Sequence, residues 1–165
     1  MGAEQNSHFE SRIRLATSAD VPAIIVVVNA AFSIETFLEG TRTDEKRMAD
    51  MMAKGEFLVA EDGSGRIVAS IYTETNGERG YCGMLAVDPS HQGSSLFRRM
   101  AKAVEEHCRN RGCTHLDISV LNLRPELPPV YRRMGFVEVG TEEFHLTQRL
   151  KAGMDAHCII MRKQL

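Results

Sequence analysis

Between Met84 and Phe136 the order of residues leaves few folds open. Met84-Leu85-Ala86-Val87 reads as the end of a strand, and Asp88-Pro89 breaks it, since proline fixes φ and donates no backbone hydrogen bond. His91-Gln92-Gly93-Ser94-Ser95 is a turn of polar and small residues that opens directly onto a helix pattern starting at Leu96. Leu96, Met100, Ala103, Val104 and His107 form its apolar stripe, and Gly112 stops it. His115 to Leu121 then alternates as a strand, with Leu116, Ile118 and Val120 on one side. Pro125, Pro128 and Pro129 hold back the next helix until Glu126 or beyond; it ends at Met134, and Gly135-Phe136 opens another strand. A turn of small residues at a helix start leaves backbone N–H groups free at the positive end of the helix dipole, which is a place for a phosphate. Tyr131 stands just before the Gly135-Phe136 strand, so a phenol is expected to face the same place.

The flanking sequence completes one domain over residues 12–165, with residues 1–11 as a flexible N-terminal segment. Arg12 to Ala16 alternates as a half-buried strand, and Thr17-Ser-Ala-Asp20 is a capping-box start. The helix after it carries Val21, Ile24, Ile25, Val28, Ala31 and Phe32 on one stripe, with Pro22 tolerable in the first turn. A second helix spans Asp44 to Lys54, with Thr43 as cap, Met48, Met51 and Met52 inward and Gly55 as stop. Phe57–Glu61 and Ile67–Thr75 pair as a hairpin, and Asn76-Gly77 turns the chain into Arg79–Val87. Phe136–Phe144 and Cys158–Lys163 are the last strands. The order βααβββαβαββ predicts a mixed α/β domain with a mostly antiparallel central sheet flanked by helices.

Composition excludes several classes of function. A formal net charge of −2 over 165 residues gives neither a basic field for nucleic acid nor a polybasic membrane patch. The longest apolar run, Val21 to Phe32, contains Pro22 and Asn29 and is too short to span a bilayer. The first twelve residues lack the apolar core of a signal peptide, and Asn6 stands where a myristoylation signal needs Ser or Thr, so a cytoplasmic location is expected. Cys108 and Cys113, with His107 and His115 nearby, raise the question of zinc; no second ligand pair accompanies them, and buried reduced thiols are the better reading of all four cysteines. No metal is expected.

The motifs V-x-P-x-x-Q-G, over Val87 to Gly93, and Y-x-x-x-G-F, over Tyr131 to Phe136, at this spacing resemble the GCN5-related N-acetyltransferases, the GNAT superfamily. The matching order of elements runs from about Arg12 to Lys163. The resemblance implies acetyl-CoA as acetyl donor, bound at the loop of Gln92, Gly93, Ser94, Ser95, Leu96 and Phe97, whose backbone would hold the pyrophosphate. Where the family has small residues, this chain has Ser95 and Phe97. Phe97 is expected to turn into the core beside Ala101, Val104 and Cys108, which share its helical stripe. An ordinary helix cap at Ser94 or Ser95 explains the same turn without a ligand.

The resemblance further implies that the strand Leu85–Val87 pairs through its backbone with the pantetheine arm, the N–H near Leu85 polarising the thioester carbonyl. A plain buried strand explains Leu85 and Val87 equally well. Tyr131 would be the general acid that protonates the departing thiolate; a tyrosine capping the core is the alternative. The family often has Asn seven residues before this tyrosine. Arg124 stands there and Asn122 lies nine before, so Asn122 is carried as a cofactor contact and Arg124 as a polar substitute. The base is unassigned. The position of a glutamate in histone-type members is Tyr81 here, while Glu35 and Glu78 read as solvated surface carboxylates.

By the same resemblance the acceptor side would form from Phe32–Thr43, with Phe32, Glu35, Phe37 and Arg42, and from His145–His157, with His145, Arg149 and Lys151. The expected function is transfer of an acetyl group to a primary amine of a small molecule or peptide, by direct attack in a ternary complex, since no Ser or Cys nucleophile with an attached base is visible. A non-catalytic acyl-CoA-binding or regulatory module is the alternative, motivated by Ser95 and Phe97. Self-association into a homodimer stays open.

Overall fold

A computed structural model describes residues 11–93, 95–144 and 149–165. The N-terminal segment expected to be flexible therefore lies, Ser11 apart, outside the described residues, as do Ser94 and His145. The strands are β1 (Arg12–Leu15), β2 (Glu56–Glu61), β3 (Ile67–Asn76), β4 (Arg79–Val87), β5 (His115–Leu121), β6 (Val137–Glu143) and β7 (His157–Gln164). The helices are α1 (Val21–Ala31), α2 (Glu45–Lys54), α3 (Leu96–Asn110) and α4 (Leu127–Arg133). The seven strands form one sheet in the order β1-β2-β3-β4-β5-β7-β6. Only β4 and β5 pair in parallel, because α3 crosses over between them; the other neighbours are antiparallel. The expected mixed, mostly antiparallel α/β domain is the observed one.

Each face of the sheet has its own core. Leu58, Ala60, Val68, Cys82, Leu116, Ile118 and Met161 pack against Leu96, Met100, Val104 and Cys108 of α3. Phe57, Val59, Tyr72 and Ala86 pack on the other face against Ile24, Val27 and Val28 of α1 and Met48 of α2. The α3 stripe differs by a step from the expected one: Ala101, Glu105 and Cys108 are buried, while Ala103 is half-buried. His107 turns away to Glu56, with Nε2 3.0 Å from Oε2.

Two helix signals resolve differently from expectation. Asp44, not Thr43, caps α2, its carboxylate accepting from the Arg47 N–H at 2.9 Å. Thr43 is instead buried, its backbone gripped by the Asn29 side chain through bonds of 2.9 and 3.1 Å. Gly55 ends α2 in an extended conformation, and what demands glycine is space. A Cβ there would lie 2.3 Å from the Thr73 carbonyl oxygen.

Candidate active site

The site begins with a defect in β4. Ser70 pairs with Ala86 and Tyr72 with Gly83, so Met84 and Leu85 together oppose the single residue Ile71. This is a β-bulge, and Met84 takes it in the left-handed region at φ 53, the only non-glycine with positive φ among the described residues. The extra residue resets the alternation. Cys82, Leu85 and Val87 face the α3 core, while Tyr81, Met84 and Ala86 face the α1 core. Just before the bulge β4 and β5 part: their pairing runs from Arg79↔His115 to Cys82↔Ile118 and goes no further.

Into this split opens a cavity of about 650 Å³. Its wall includes Leu85, Phe97 and Tyr131, which pack against the α3 core, and Phe32, Tyr81 and Met84, which pack against the α1 core. The cavity therefore passes through the sheet from one face to the other. Backbone on an unpaired stretch of β4 is left able to hydrogen-bond an extended ligand laid between the strands.

At the α3 mouth, Asp88 organises the turn. Its carboxylate accepts from the Ser90 N–H at 2.9 Å and from the Ser90 hydroxyl, and pairs with Arg66 at 2.7 Å. The hydrogen bonds from Ser90 hold the Asp88 carboxyl below the usual carboxylate range. Gln92 donates from Nε2 to the Val87 carbonyl at 3.3 Å, tying the turn back to the strand end. Gly93 has φ +83, and, its chain neighbours apart, no atom of the described residues lies within 4 Å of where a Cβ would stand. Ser95 is the N-cap residue of α3 without a capping side-chain bond, and is exposed. Leu96 buries its side chain in the core while its backbone starts the helix.

Sequence reasoning missed two residues at this mouth, Arg98 and His91, which line the cavity with Gln92 and Gly93. Arg98 is exposed, in the first turn of α3, where the helix dipole disfavours a cation. A basic residue in that turn, with no acidic one to offset it, was the signal that an anion belongs there. The positive end of the α3 dipole, a glycine turn and a guanidinium together fit a pyrophosphate.

Tyr131 stands on α4 with its ring 5.8 Å from Phe136, edge on, and 6.3 Å from Phe97. Its hydroxyl makes no hydrogen bond to the protein among the described residues. Burial pushes the phenol above the usual tyrosine range, so it is a proton donor across the physiological range. Phe97 corrects an expectation. Ala101, Val104 and Cys108 are buried as expected, but Phe97 is half-buried and forms cavity wall against Tyr131. The ring packs against the α3 core and lines the same cavity as Gln92 and Gly93.

Asn122 is tied elsewhere. Its Oδ1 accepts from the His157 N–H at 2.9 Å and its N–H donates to the His157 carbonyl at 3.0 Å, pinning β5 to β7 outside the cavity wall. Leu85, Val87, Gln92, Gly93, Phe97 and Tyr131 are the expected residues that the structure gathers on one cavity.

The α1 mouth holds the largest departure. Glu35, expected as a solvated surface carboxylate, is only 8 % exposed. Its Oε2 accepts from Arg124 Nη1 at 2.9 Å, and its Oε1 lies 3.6 Å from Arg42 Nε. Arg42 in turn stacks over Phe32, 5.2 Å from the ring centroid. Glu78 is exposed as expected. Tyr81 packs on the α1 face; a Cβ at Gly83 would meet its hydroxyl at 3.0 Å, and burial pushes its phenol upward too. The segments expected to frame the acceptor meet through the bridge Leu38↔Leu150, with Glu39 N–H to Arg149 carbonyl at 2.8 Å and Lys151 N–H to Phe37 carbonyl at 2.9 Å.

Comparison with known proteins bears on this architecture. A family model described as an acetyltransferase (GNAT) domain matches residues 23–147. Glucosamine 6-phosphate N-acetyltransferase 1 of Oryza sativa subsp. japonica is 32% identical over 108 residues, 61% of this chain and 64% of that protein. Mycothiol acetyltransferase of Saccharopolyspora erythraea is 28% identical over 131 residues, 76% of this chain and 43% of that protein. The chain thus spans less than two thirds of the length of either relative. The ribosomal-protein-S18-alanine N-acetyltransferase of Escherichia coli shares the fold with a TM-score of 0.74 at 19% identity, over 93% of both chains. So does a GNAT family acetyltransferase of Elizabethkingia anophelis solved with acetyl-CoA bound, at TM-score 0.72 and 14% identity over 94% of this chain and 98% of that one. With the family model covering most of its length and the bulged, split sheet beneath, this chain belongs to the GNAT acetyltransferase family.

Proposed function

We propose that this protein is an acetyl-CoA-dependent N-acetyltransferase that acetylates a primary amine of a small molecule or peptide by direct attack in a ternary complex. The observation that carries the reading is the cavity through the sheet, with the start of α3 and Arg98 at one mouth, a phenol in its wall and charged side chains at the other. Acetyl-CoA supplies an activated thioester carbonyl. The N-terminus of α3, the Gly93 turn and Arg98 bind the pyrophosphate. Backbone N–H groups of Leu85 and Val87, past the end of the pairing with β5, orient the pantetheine arm and donate to the carbonyl oxygen. Tyr131 holds its proton at Oη and delivers it to the departing sulfur.

Glucosamine 6-phosphate, named in the rice relative, is an amine of the proposed class. Four buried free cysteines suit a reducing compartment, and the proposed location is the cytoplasm. Among the described residues no helix is long and apolar enough to cross a membrane. The test is release of free CoA thiol when acetyl-CoA and a panel of amines are supplied. Amine-dependent release supports the reading; acetyl-CoA binding without release from any amine favours a non-catalytic binding module.

A further inference from the structure

A second cavity, of about 720 Å³, lies between α2 and the sheet. Its wall includes Asp50, Met51 and Lys54 of α2, Tyr72 and Glu74 of β3, and Arg79 of β4. Arg42, Tyr81, Gly83 and Met84 line both this cavity and the one through the sheet, so the two meet at the β4 bulge. Tyr81 is the one uncharged polar side chain at that neck.

The Tyr81 hydroxyl makes no hydrogen bond to the protein among the described residues. Tyr72, on the second cavity, differs: its hydroxyl is tied to Glu74 and to the Met51 carbonyl. A tyrosine with most of its ring enclosed ordinarily finds a partner for its hydroxyl. The Tyr81 ring is fixed by Arg79, whose guanidinium lies 5.8 Å from its centroid and is itself anchored on Asp117 at 2.9 Å. Gly83 leaves room in front of the hydroxyl, since the nearest atoms to a Cβ there are those of the Tyr81 phenol, at 3.0 and 3.5 Å. Burial foremost, with the Tyr81 phenol among the lesser causes, raises Tyr131, so the two phenols lie within electrostatic reach across the split. Burial also keeps Tyr81 protonated, which leaves it no role as a base and makes it a neutral hydrogen-bonding group.

We propose that Tyr81 receives the acceptor: the amine enters from the second cavity, passes Gly83 and donates an N–H to the Tyr81 hydroxyl oxygen, which turns its lone pair toward the thioester carbonyl. The inference rests on the N-acetyltransferase reading. In the step the amine nitrogen bonds the acetyl carbon as the C–S bond breaks, and it loses one proton to solvent. The sulfur leaves with the Tyr131 proton, and Tyr131 regains one from solvent. Tyr81 keeps its own proton throughout.

The experiment uses the full chain with tyrosine isotopically labelled at Cζ. The chain has three tyrosines, Tyr72, Tyr81 and Tyr131, so single replacements by phenylalanine assign every signal in the NMR spectrum. With CoA saturating, which allows binding and no transfer, 2-aminoethanol, glycinamide, spermidine and glucosamine 6-phosphate are titrated in separately. At least one should move the Tyr81 signal saturably, and an amine that turns over should do so near its own KM. In thiol-release assays Tyr81→Phe should raise the KM of that amine about tenfold, the worth of one hydrogen bond, with kcat changed less and the KM of acetyl-CoA unchanged. Gly83→Ala should raise the same KM by narrowing the neck, in a protein that melts as the parent does. An amine that turns over without moving the Tyr81 signal, or a Tyr81→Phe protein that loses kcat with no rise in KM, overturns the assignment. A saturable Tyr81 shift without thiol release leaves the amine site standing and removes the transferase reading. No shift and no release with any of the four amines overturns the site as well.

Discussion

Replacing Tyr131 with phenylalanine removes one oxygen atom and, by the structure, little else. The ring contacts with Phe97 and Phe136 survive, and the hydroxyl has no protein hydrogen bond to lose among the described residues. Folding stability should therefore move by less than about 0.5 kcal/mol, the scale of a substitution that breaks no named interaction. Acetyl-CoA affinity should be nearly unchanged. Turnover should fall by roughly 10²–10⁴, the usual worth of one acid catalyst, which corresponds to about 3–5 kcal/mol in the barrier. The pH profile gives a second check. Burial raises the Tyr131 phenol above its ordinary value, so the acid form persists as pH rises through about 10, the ordinary tyrosine value. The parent rate should show no alkaline fall from this group near that pH. The sign for folding is consistent: the folded state holds the proton more tightly, so this contribution to stability is present below about pH 10 and lost above it. The assay is thiol release at saturating acetyl-CoA, with melting curves on both proteins. A Tyr131→Phe protein that turns over at the parent rate makes Tyr131 a packing residue and sinks this assignment.

Arg98→Glu should weaken acetyl-CoA binding by about 10–100-fold, the loss of one charge-assisted contact, measured by titration and reduced at high salt. Unchanged affinity would move the pyrophosphate away from α3. Phe97→Ala should cost about 1–2 kcal/mol in chemical denaturation, less than a fully buried ring, since Phe97 is half-buried cavity wall. It should not tighten acetyl-CoA binding, and a marked gain in affinity would mean that the ring obstructs the ligand. Asp88→Asn should destabilise the turn before α3 by about 1–2 kcal/mol at neutral pH. Because the folded Asp88 carboxyl is depressed, its contribution is present above the ordinary carboxylate value and lost as pH falls below it; the difference between parent and variant in melting curves should therefore shrink in acid.

The residues that announced themselves in the sequence are those whose structure is local. Asn76-Gly77 and Asp88-Pro89 bracket β4 with a turn and a breaker, and its bounds agree with the expectation. Leu116, Ile118 and Val120 alternate because β5 is central and one face meets α3. The bulge was illegible, since its left-handed residue is Met84, and no glycine marks it. Thr43 and Asp44 are both good caps by chemistry, and the choice was made by Asn29, fourteen residues away from Thr43. Glu35 looked solvated because its partners, Arg42 and Arg124, are brought to it only by the folded chain. Asn122 likewise is claimed by His157, which no spacing rule connects to it. The turn and the phenol could be read in advance; the charged mouth opposite them could not.

The most direct measurement is titration of the unmodified protein with acetyl-CoA, followed by addition of a panel of amines with free thiol recorded. Saturable binding that raises the melting temperature by mass action, and thiol release that depends on the amine, are the expected results. A folded protein that shows no melting shift at millimolar acetyl-CoA would contradict the assignment of acetyl-CoA to this cavity.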